Sequence, residues 1–365
     1  MKNHFLYTLA IAFLFVSATA QSETSLPSRQ LELVSSDFKH PWSMAFISSN
    51  SLLITEKPGS LRLIDLQDKT SQLINNPPSS DEFGQGGLLD IALHPNFANN
   101  HWVYLSFSKR EGKGVGVEVI RATLENGQLV GQQLIFKQSP KLTKEYHFGS
   151  RLAFDDQGYL WISLGDRFEK EQAQDPSHHV GKIIRLKDDG SVPADNPHSK
   201  NPNFAPEVFS FGHRNVQGLA FNTNTGKMWA HEHGPQGGDE INIIESGKNY
   251  GWPVITYGVN YFIGTKIGEG THKAGMEQPI YKWIPSIAPS GMAFCRCEKY
   301  PGWGNSLWIG SLKFSTLVRL QLKDNNIISE ERPFKDIGRV RDVRISPDGF
   351  IYLLAGNQLY RVLPN

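Results

Sequence analysis

Short apolar runs separated by polar turns recur along most of the chain. The first run of each unit contains a small apolar triplet. A turn rich in Asn, Asp, Gly or Pro follows, and then a second apolar run such as "LWISL" or "IYLLA". Two such runs joined by a turn predict a β-hairpin. Five triplets share one pattern and a sixth is degenerate: Met44-Ala45-Phe46, Ile91-Ala92-Leu93, Leu152-Ala153-Phe154, Leu219-Ala220-Phe221, Met292-Ala293-Phe294 and Val343-Arg344-Ile345.

A third strand is readable in most units, for example "LRLIDL", "KIIRL" and "EINIIE". Six similar antiparallel units without helical periodicity predict an all-β chain that folds as a six-bladed β-propeller of four-stranded blades. A β-sandwich is the structural alternative, but it does not require hairpins that repeat the same residue types at the same point. We expect residues 21–365 to form this single domain.

The hairpin topology predicts where the polar residues gather. If the triplet lies in the innermost strand, residues just before the first strand and just after the second share one end of the central channel. Before first strands come Gln85, His147, Arg214, Asn215, Gln217, Arg339 and Arg341. After second strands come Asp166, the loop "HEHGPQGGDE" and Lys313. The sequence therefore predicts one shared site at the mouth of the channel.

Four of these residues are cations: Arg214, Lys313, Arg339 and Arg341. The 365-residue chain has a formal net charge of only +1, so it carries no overall field that would attract nucleic acid or an anionic membrane. A local cluster of cations suits a planar polyanion, because arginine binds carboxylates through two parallel hydrogen bonds. The alternative is that each cation is a solvated surface side chain.

The segment "HEHGPQGGDEINIIESGKNYGW" carries hard oxygen donors in a glycine-rich turn. Its carboxylates, together with carbonyls near Gly234 and Pro235, suit calcium better than zinc. His231 and His233 raise the alternative of a transition metal, but they do not have the spacing of a helical zinc motif. Cys295 and Cys297 are the two cysteines of the chain, and we interpret them as a local structural feature or a disulfide.

The amino-terminal segment resembles an export signal. Lys2 and His4 precede an apolar run, and Ala18-Thr19-Ala20 has the small-residue pattern of a cleavage site. We expect residues 1–20 to be a signal peptide cleaved after Ala20 and the mature chain to be periplasmic. A membrane anchor is the alternative, although the run is shorter than the ~20 residues that a bilayer span needs.

Several ordered motifs together carry a family resemblance: "GQGGLLDIALHPNF", "HFGSRLAFDDQGYLWISLGD", "GHRNVQGLAF", "GPQGGDEINIIESGKNYGWP" and "RVRDV". On these motifs the chain resembles the soluble glucose/sorbosone dehydrogenases, and within them the bacterial aldose sugar dehydrogenases. The resemblance implies a six-bladed propeller that binds pyrroloquinoline quinone (PQQ) and calcium. It implies oxidation of the C1 hydroxyl of aldoses to lactones.

The resemblance also implies roles for individual residues. His147 would be the general base, and Asp166 would lie on the substrate side. The residues matching cofactor contacts are Gln85, Arg214, Asn215, Lys313, Arg339 and Arg341, with Tyr261 and Trp283 as candidate aromatic walls. The residues matching calcium ligands are Gly234 and Pro235 at the cofactor, and Glu240 and Tyr250 at a second, structural ion.

The chain departs from the glucose-specialised members of this family next to the base and in the stretch from Gly258 to Tyr281, which is shorter and different from theirs. Tyr146 precedes His147, where those members have an acidic residue, so the preferred sugar is an open question. Two other functions stay open at this point, a calcium-dependent lactonase and a non-catalytic propeller that binds sugars or proteins. We expect a monomer that acts on an aldose and passes electrons to an unidentified acceptor.

Overall fold

The repeats form six four-stranded antiparallel sheets in the computed structural model, which describes residues 30–364. The strands are, in chain order, β1 (Leu31–Ser35), β2 (Pro41–Phe46), β3 (Ser51–Glu56), β4 (Ser60–Asp65), β5 (Thr70–Leu73), β6 (Leu88–Leu93), β7 (Trp102–Glu111), β8 (Gly114–Glu125), β9 (Gln128–Lys137), β10 (Gly149–Phe154), β11 (Leu160–Leu164), β12 (Lys182–Leu186), β13 (Val208–Phe211), β14 (Val216–Asn222), β15 (Lys227–Glu232), β16 (Asp239–Ile244), β17 (Tyr281–Trp283), β18 (Pro289–Cys295), β19 (Ser306–Ser311), β20 (Thr316–Lys323), β21 (Asn326–Phe334), β22 (Val340–Ile345), β23 (Ile351–Ala355) and β24 (Gln358–Val362).

The sheets are the blades of a propeller. Blades 1 to 5 are β2 to β5, β6 to β9, β10 to β13, β14 to β17 and β18 to β21. Blade 6 combines β22, β23 and β24 with β1 as its outermost strand, so the two ends of the described chain pair in one sheet. The first strand of each blade contacts the first strands of both neighbouring blades, which closes the ring. The predicted all-β class and the six four-stranded blades are confirmed.

Apolar side chains of adjacent blades pack together. Leu53 of blade 1 and Leu105 of blade 2 belong to one buried cluster, and Trp229 of blade 4 and Ile309 of blade 5 belong to another. The small triplets lie in the innermost strands, as predicted. Helical structure among the described residues is limited to α1 (Phe97–Asn100) and a 3₁₀ helix at Lys170–Gln174.

Each inner strand has an irregular register with its neighbour just before or at the start of the triplet. Such bulges leave backbone groups unpaired and redirect side chains. In three blades a hydroxyl of the second strand accepts the freed N–H: Thr55 for Ser43, Ser106 for Asp90 and Ser163 for Arg151. The bulges therefore place polar residues inside the channel.

Cys295 and Cys297 form a disulfide at the end of β18, so the disulfide reading of this pair is the correct one. No helix within residues 30–364 is long and apolar enough to cross a membrane. The predicted signal peptide and its cleavage point lie outside the described residues.

Candidate active site

A cavity of about 370 Å³ opens at the end of the channel where the polar residues were predicted to gather. Its volume is within the range of small-molecule sites. The predicted residues that line it are Gln85, Asn215, Gln217, Arg339 and Arg341, and further lining comes from Trp42, Lys57, Phe148, Gly149, Ser150 and His233. The propeller therefore brings residues from distant parts of the sequence into one pocket.

The pocket is basic. Arg339, Arg341 and Lys57 line it, and within residues 30–364 the guanidinium of Arg341 has no hydrogen-bond or ion-pair partner. Burial and then the nearby charges of Arg151 and Arg339 lower the pKa of Arg341 to about 9. Cations that repel one another in a buried place favour binding of an anion. This charge pattern fits the predicted polyanionic ligand.

Arg214 lies beside this pocket, in the segment that leads into β14. Its Nη1 donates to the carbonyl oxygens of His233 at 2.9 Å and Gly234 at 2.7 Å, whereas its buried Nε has no partner in the described structure. Asn215 points its Oδ1 at the N–H of Gly149, 3.2 Å away. The predicted pair thus joins the pocket wall to the loop that follows β15.

His147 and Asp166 form a buried pair next to the pocket. Nδ1 of His147 lies 2.7 Å from Oδ1 of Asp166, and the backbone N–H of His147 donates to Gln85, which lines the pocket. The pKa of Asp166 is lowered below its usual range: burial alone would raise it, but the hydrogen bond from His147 and nearby positive charges lower it. An ionised Asp166 accepts the proton of Nδ1, so the lone pair of the imidazole is on Nε2. No hydrogen bond to Nε2 occurs among residues 30–364.

The surroundings favour the neutral form of the imidazole. Burial, the main cause, and the nearby charges of Arg214 and Arg167 lower the pKa of His147, although Asp166 opposes this. The ring of Phe168 stacks on the imidazole with 4.2 Å between ring centroids. A neutral imidazole with a free Nε2 can accept a proton from a hydroxyl group.

Three residues that sequence reasoning did not identify hold this pair in place. Trp252 donates its indole N–H to Oδ2 of Asp166 at 2.7 Å. Arg167 is fully buried and donates to the carbonyls of Lys144, Tyr146 and Val115, which clamps the segment that carries His147. Phe168 donates its backbone N–H to Oδ1 of Asp166. The sequence could have indicated two of them, because Arg167 and Phe168 directly follow the predicted site residue Asp166.

Unusual backbone conformations accompany this arrangement. His147, Arg167 and Phe168 have φ values of 53°, 53° and 61°, in the left-handed region that non-glycine residues rarely adopt. Gly165 permits the close contact of the two segments, since a Cβ there would lie 2.0 Å from the carbonyl oxygen of His147. Strained residues that cluster beside a pocket are typical of functional sites.

The loop after β15 presents carbonyl groups rather than a carboxylate cluster. Asp239 accepts hydrogen bonds from Gly234, Ser286, Ile287 and Ala288, so its carboxylate is used to fix the loop. No group of three or more His, Cys, Asp or Glu side chains within residues 30–364 is arranged to hold a metal ion. A cation at Gly234 and Pro235 would therefore depend on carbonyl oxygens.

Glu240 and Tyr250 line a second, smaller cavity of about 10 Å³, which has room for roughly one water or ion. Glu232 lines the same cavity and is paired directly opposite Glu240 in the sheet. Burial and the neighbouring charge of Glu232 raise the pKa of Glu240 to about 8. Two adjacent carboxylates of this kind fit a cation, which would relieve their repulsion.

Three other predicted contacts remain, of which Lys313 directly follows the cavity-lining Leu312. Lys313 is exposed, and its Nζ is 5.2 Å from the ring centroid of Phe314. Tyr261 is half-exposed on a separate loop. Trp283 is buried in β17 and donates to Glu330, so it belongs to the core. None of the three lines the cavity.

Residues 38–363 match the sequence model of the family described as glucose / sorbosone dehydrogenase. The chain belongs to this family. The prediction of the family and of its enzyme class, the oxidoreductases, is therefore confirmed. The match covers every strand except β1, including the segments that carry His147 and Asp166.

Relatives in this glucose/sorbosone dehydrogenase family match over nearly the full chain. The aldose sugar dehydrogenase YliI of Escherichia coli is 41% identical, with 92% of each chain covered. The quinoprotein glucose dehydrogenase B of Acinetobacter calcoaceticus is 27% identical, over 98% of this chain and 95% of its own.

Solved structures of aldose sugar dehydrogenases are also similar to this chain over nearly its full length. The apo-form of the Escherichia coli aldose sugar dehydrogenase superposes with a TM-score of 0.88 at 38% identity, covering 92% of this chain and all of that one. The PQQ-bound form of an aldose sugar dehydrogenase from Streptomyces coelicolor superposes with a TM-score of 0.76 at 26% identity, covering 93% of this chain and 99% of that one.

Proposed function

We propose that this protein oxidises the C1 hydroxyl of aldose sugars to lactones, with PQQ as cofactor, calcium as its metal and His147 as general base. The observation that carries the proposal is the His147–Asp166 pair, whose Nδ1–Oδ1 distance is 2.7 Å, beside a basic cavity. The family membership and the names of the relatives support the same reaction.

The residues present fit the cofactor. PQQ carries several carboxylates, and Arg339 and Arg341 supply positive charge in the cavity, where Arg341 lacks a partner among the described residues. Asn215 and Gln85 would supply neutral hydrogen bonds, and Arg214 would supply a further charge from the cavity wall. When bound, the quinone supplies the electron acceptor for the hydride that leaves C1 of the sugar.

The protein groups would handle the proton of the same reaction. Nε2 of His147 accepts the proton from the C1 hydroxyl, because Nδ1 already donates to Asp166. The charge of Asp166 then stabilises the imidazolium that results. Phe168 and the buried surroundings limit access of water to the ring.

Calcium would be held at two places. Gly234 and Pro235 would offer carbonyl oxygens to one ion, and the carbonyl of Gly234, which accepts from Nη1 of Arg214 at 2.7 Å, would use its second lone pair for the metal. Glu240 and the carbonyl of Tyr250 would hold the second ion in the small cavity, where burial and the charge of Glu232 raise the pKa of Glu240. Oxygen ligands of this kind are typical of calcium.

Reconstitution tests the proposal. Purified metal-free protein is supplied with PQQ and calcium, together or singly, and dye-coupled oxidation of several aldoses is followed. We expect oxidation only when both are present. Lactone hydrolysis without quinone would instead indicate a lactonase, and quinone-independent sugar binding without turnover would indicate a non-catalytic propeller.

Location and assembly are part of the same proposal. We expect export to the periplasm with cleavage after Ala20, and a monomer that passes electrons to an acceptor still to be identified. Mass spectrometry of the mature amino terminus and light scattering of the purified protein check these two points. A mature chain that retains Met1 would contradict the export.

A further inference from the structure

The inner strands share a position whose residues meet at the centre of the channel, below the cavity. It is the residue directly before each small triplet: Ser43, Asp90, Arg151, Gly218, Gly291 and Asp342. The register irregularity of each inner strand lies next to this position. The sequence thus places two acids, one arginine, one serine and two glycines around one ring.

The glycines make room at this ring. A Cβ on Gly291 would lie 2.0 Å from Oδ1 of Asp342, and one on Gly218 would lie 2.1 Å from Nε2 of His231. Real Cβ atoms essentially never come this close to another heavy atom. Gly291 of blade 5 therefore leaves room for Asp342 of blade 6, and Gly218 leaves room for His231 of its own blade.

Arg151 occupies this centre and is almost completely buried. Its Nη1 lies 3.4 Å from Oδ1 of Asp90 and 3.2 Å from Oδ1 of Asp342. Arg344 also pairs with both acids, at 3.2 and 3.1 Å. Two arginines and two aspartates thus balance in charge, and Ser43 donates to Asp90 and Asp342.

The other contacts of Arg151 are with the floor of the cavity. Its Nε donates to the carbonyl of Gln217 at 2.8 Å, and its Nη2 donates to the carbonyl of Arg341 at 3.1 Å. Its guanidinium carbon is 4.1 Å from the ring centroid of Trp42. Trp42, Gln217 and Arg341 all line the cavity. One buried side chain on blade 3 therefore connects cavity-lining residues of blades 1, 4 and 6.

We propose that Arg151 is a positioning residue for the anionic cofactor, which sets the place of Arg341 and Trp42 at the cavity floor without touching the ligand. This inference rests on the proposed function, because it takes PQQ as the ligand. Asp90 and Asp342 neutralise the charge of Arg151. Arg151 therefore acts through the backbone of Arg341 and the ring of Trp42. A side chain on blade 3 with fixed neighbours on four other blades is suited to this task, since a small displacement of any of them would alter the pocket.

The test compares Arg151→Lys with a matched control. Lysine keeps the charge, but its single ammonium group does not reproduce the fork that reaches Gln217, Arg341 and the two acids. Arg319→Lys is the control, because Arg319 is equally buried and pairs with Glu331 at 2.9 Å, while none of its partners lines the cavity. Both variants are measured by thermal unfolding without cofactor and by fluorescence titration with PQQ and calcium.

We expect both variants to lose thermal stability, but only Arg151→Lys to bind PQQ more weakly, by about tenfold, the loss of one charged hydrogen bond. An affinity equal to that of wild type would overturn the inference. If the wild-type protein itself does not bind PQQ, the proposed function fails instead, so the two failures are distinguishable.

A double mutant separates positioning from general damage. If Arg151 acts through Arg341, Arg151→Lys in an Arg341→Ala background should weaken PQQ binding further by less than about threefold. A full additional tenfold loss would refute action through Arg341. If Arg151→Lys does not fold, Ser43→Ala replaces it, since that hydroxyl contacts both acids outside the cavity. About threefold weaker PQQ binding is then expected, and wild-type affinity would overturn the inference.

Discussion

Replacement of Asp166 by Asn tests the geometry of the proposed base most directly. Oδ1 of Asp166 accepts from His147 and from the N–H of Phe168, and Oδ2 accepts from Trp252. Asn has the same shape but only one oxygen. If its oxygen stays at the Oδ1 position, its NH₂ opposes the indole N–H of Trp252; if its oxygen faces Trp252 instead, its NH₂ faces the N–H of Phe168 and Nδ1 of His147, and the imidazole must then carry its proton on Nε2. That tautomer does not accept a proton from a sugar hydroxyl.

The size of the effect follows from the bond that is lost. A buried hydrogen bond to a charged group, here 2.7 Å long, contributes about 1.5–3 kcal/mol. If the bond matters mainly when the imidazole becomes charged, this corresponds to about a 10- to 150-fold lower kcat. Binding of PQQ should change little, because Asp166 does not line the cavity.

The pH dependence of kcat provides an independent test, because the direction in which its acid limb moves can be predicted. His147 must be neutral to act, so activity falls as pH decreases through its pKa. The hydrogen bond and charge of Asp166 raise that pKa against the lowering effect of burial. Without the charge, the pKa of His147 falls further, so the acid limb of the kcat profile should move to lower pH while the plateau decreases.

Asp155→Asn is the matched control. Asp155 accepts from the indole N–H of Trp161 at 2.8 Å and from two backbone N–H groups, in the same blade but in the turn between β10 and β11. It reproduces the Asp–Trp arrangement of Asp166 and Trp252 without a histidine. Steady-state oxidation at saturating PQQ is measured for both variants. An acid limb that moves upward, or a kcat within threefold of wild type for Asp166→Asn, would refute the reasoning.

Three further predictions concern the base, the anion site and the small cavity. His147→Gln should keep PQQ binding but lower turnover by about 10²–10⁴-fold, and a loss below about tenfold would indicate a structural histidine. Arg341→Ala should weaken PQQ binding in a titration more than Lys313→Ala does, because Arg341 is in the cavity and Lys313 is exposed; equal losses would contradict this. The raised pKa of Glu240 means that metal-free protein should lose stability as pH rises from about 4.5 to 8. The melting temperature of Glu240→Gln should depend less on pH and should rise less when calcium is added. A wild-type melting temperature that depends on pH as little as that of Glu240→Gln would contradict this prediction.

Much of the fold is predictable from the sequence, because it follows from local periodicity. Each small triplet, turn and second apolar run form one hairpin, and six copies specify the ring. The shared end of the channel follows from hairpin topology, and Gln85, Asn215 and Arg341 do line one cavity there. The fourth strand of blade 6 is different, since β1 pairs with β24 across the whole chain and no local pattern indicates it.

The partners inside the site are less accessible to sequence reasoning. Asp166 was expected on the substrate side, and the structure places its carboxylate on Nδ1 of His147 and the indole of Trp252. His147 and Asp166 flank the β10–β11 hairpin and so meet by hairpin topology, whereas Trp252 is 86 residues from Asp166 and its contact depends on how blades 3 and 4 pack. The exposed position of Lys313 likewise depends on the path of a loop rather than on any residue pattern.

The residue before each triplet shows that an alignment of the six repeats can predict a buried charge cluster. Aligned by triplet, Asp90, Arg151 and Asp342 occupy equivalent places, although the surrounding strands are apolar. Charges at equivalent places of a closed ring must meet at its axis, and burial requires that they neutralise one another. Within the described channel, Arg151 and Arg344 pair with both acids, so the charges of this centre largely balance below Arg339 and Arg341. The neutral centre therefore leaves the cavity positive, and that is the charge which a carboxylate-bearing cofactor needs.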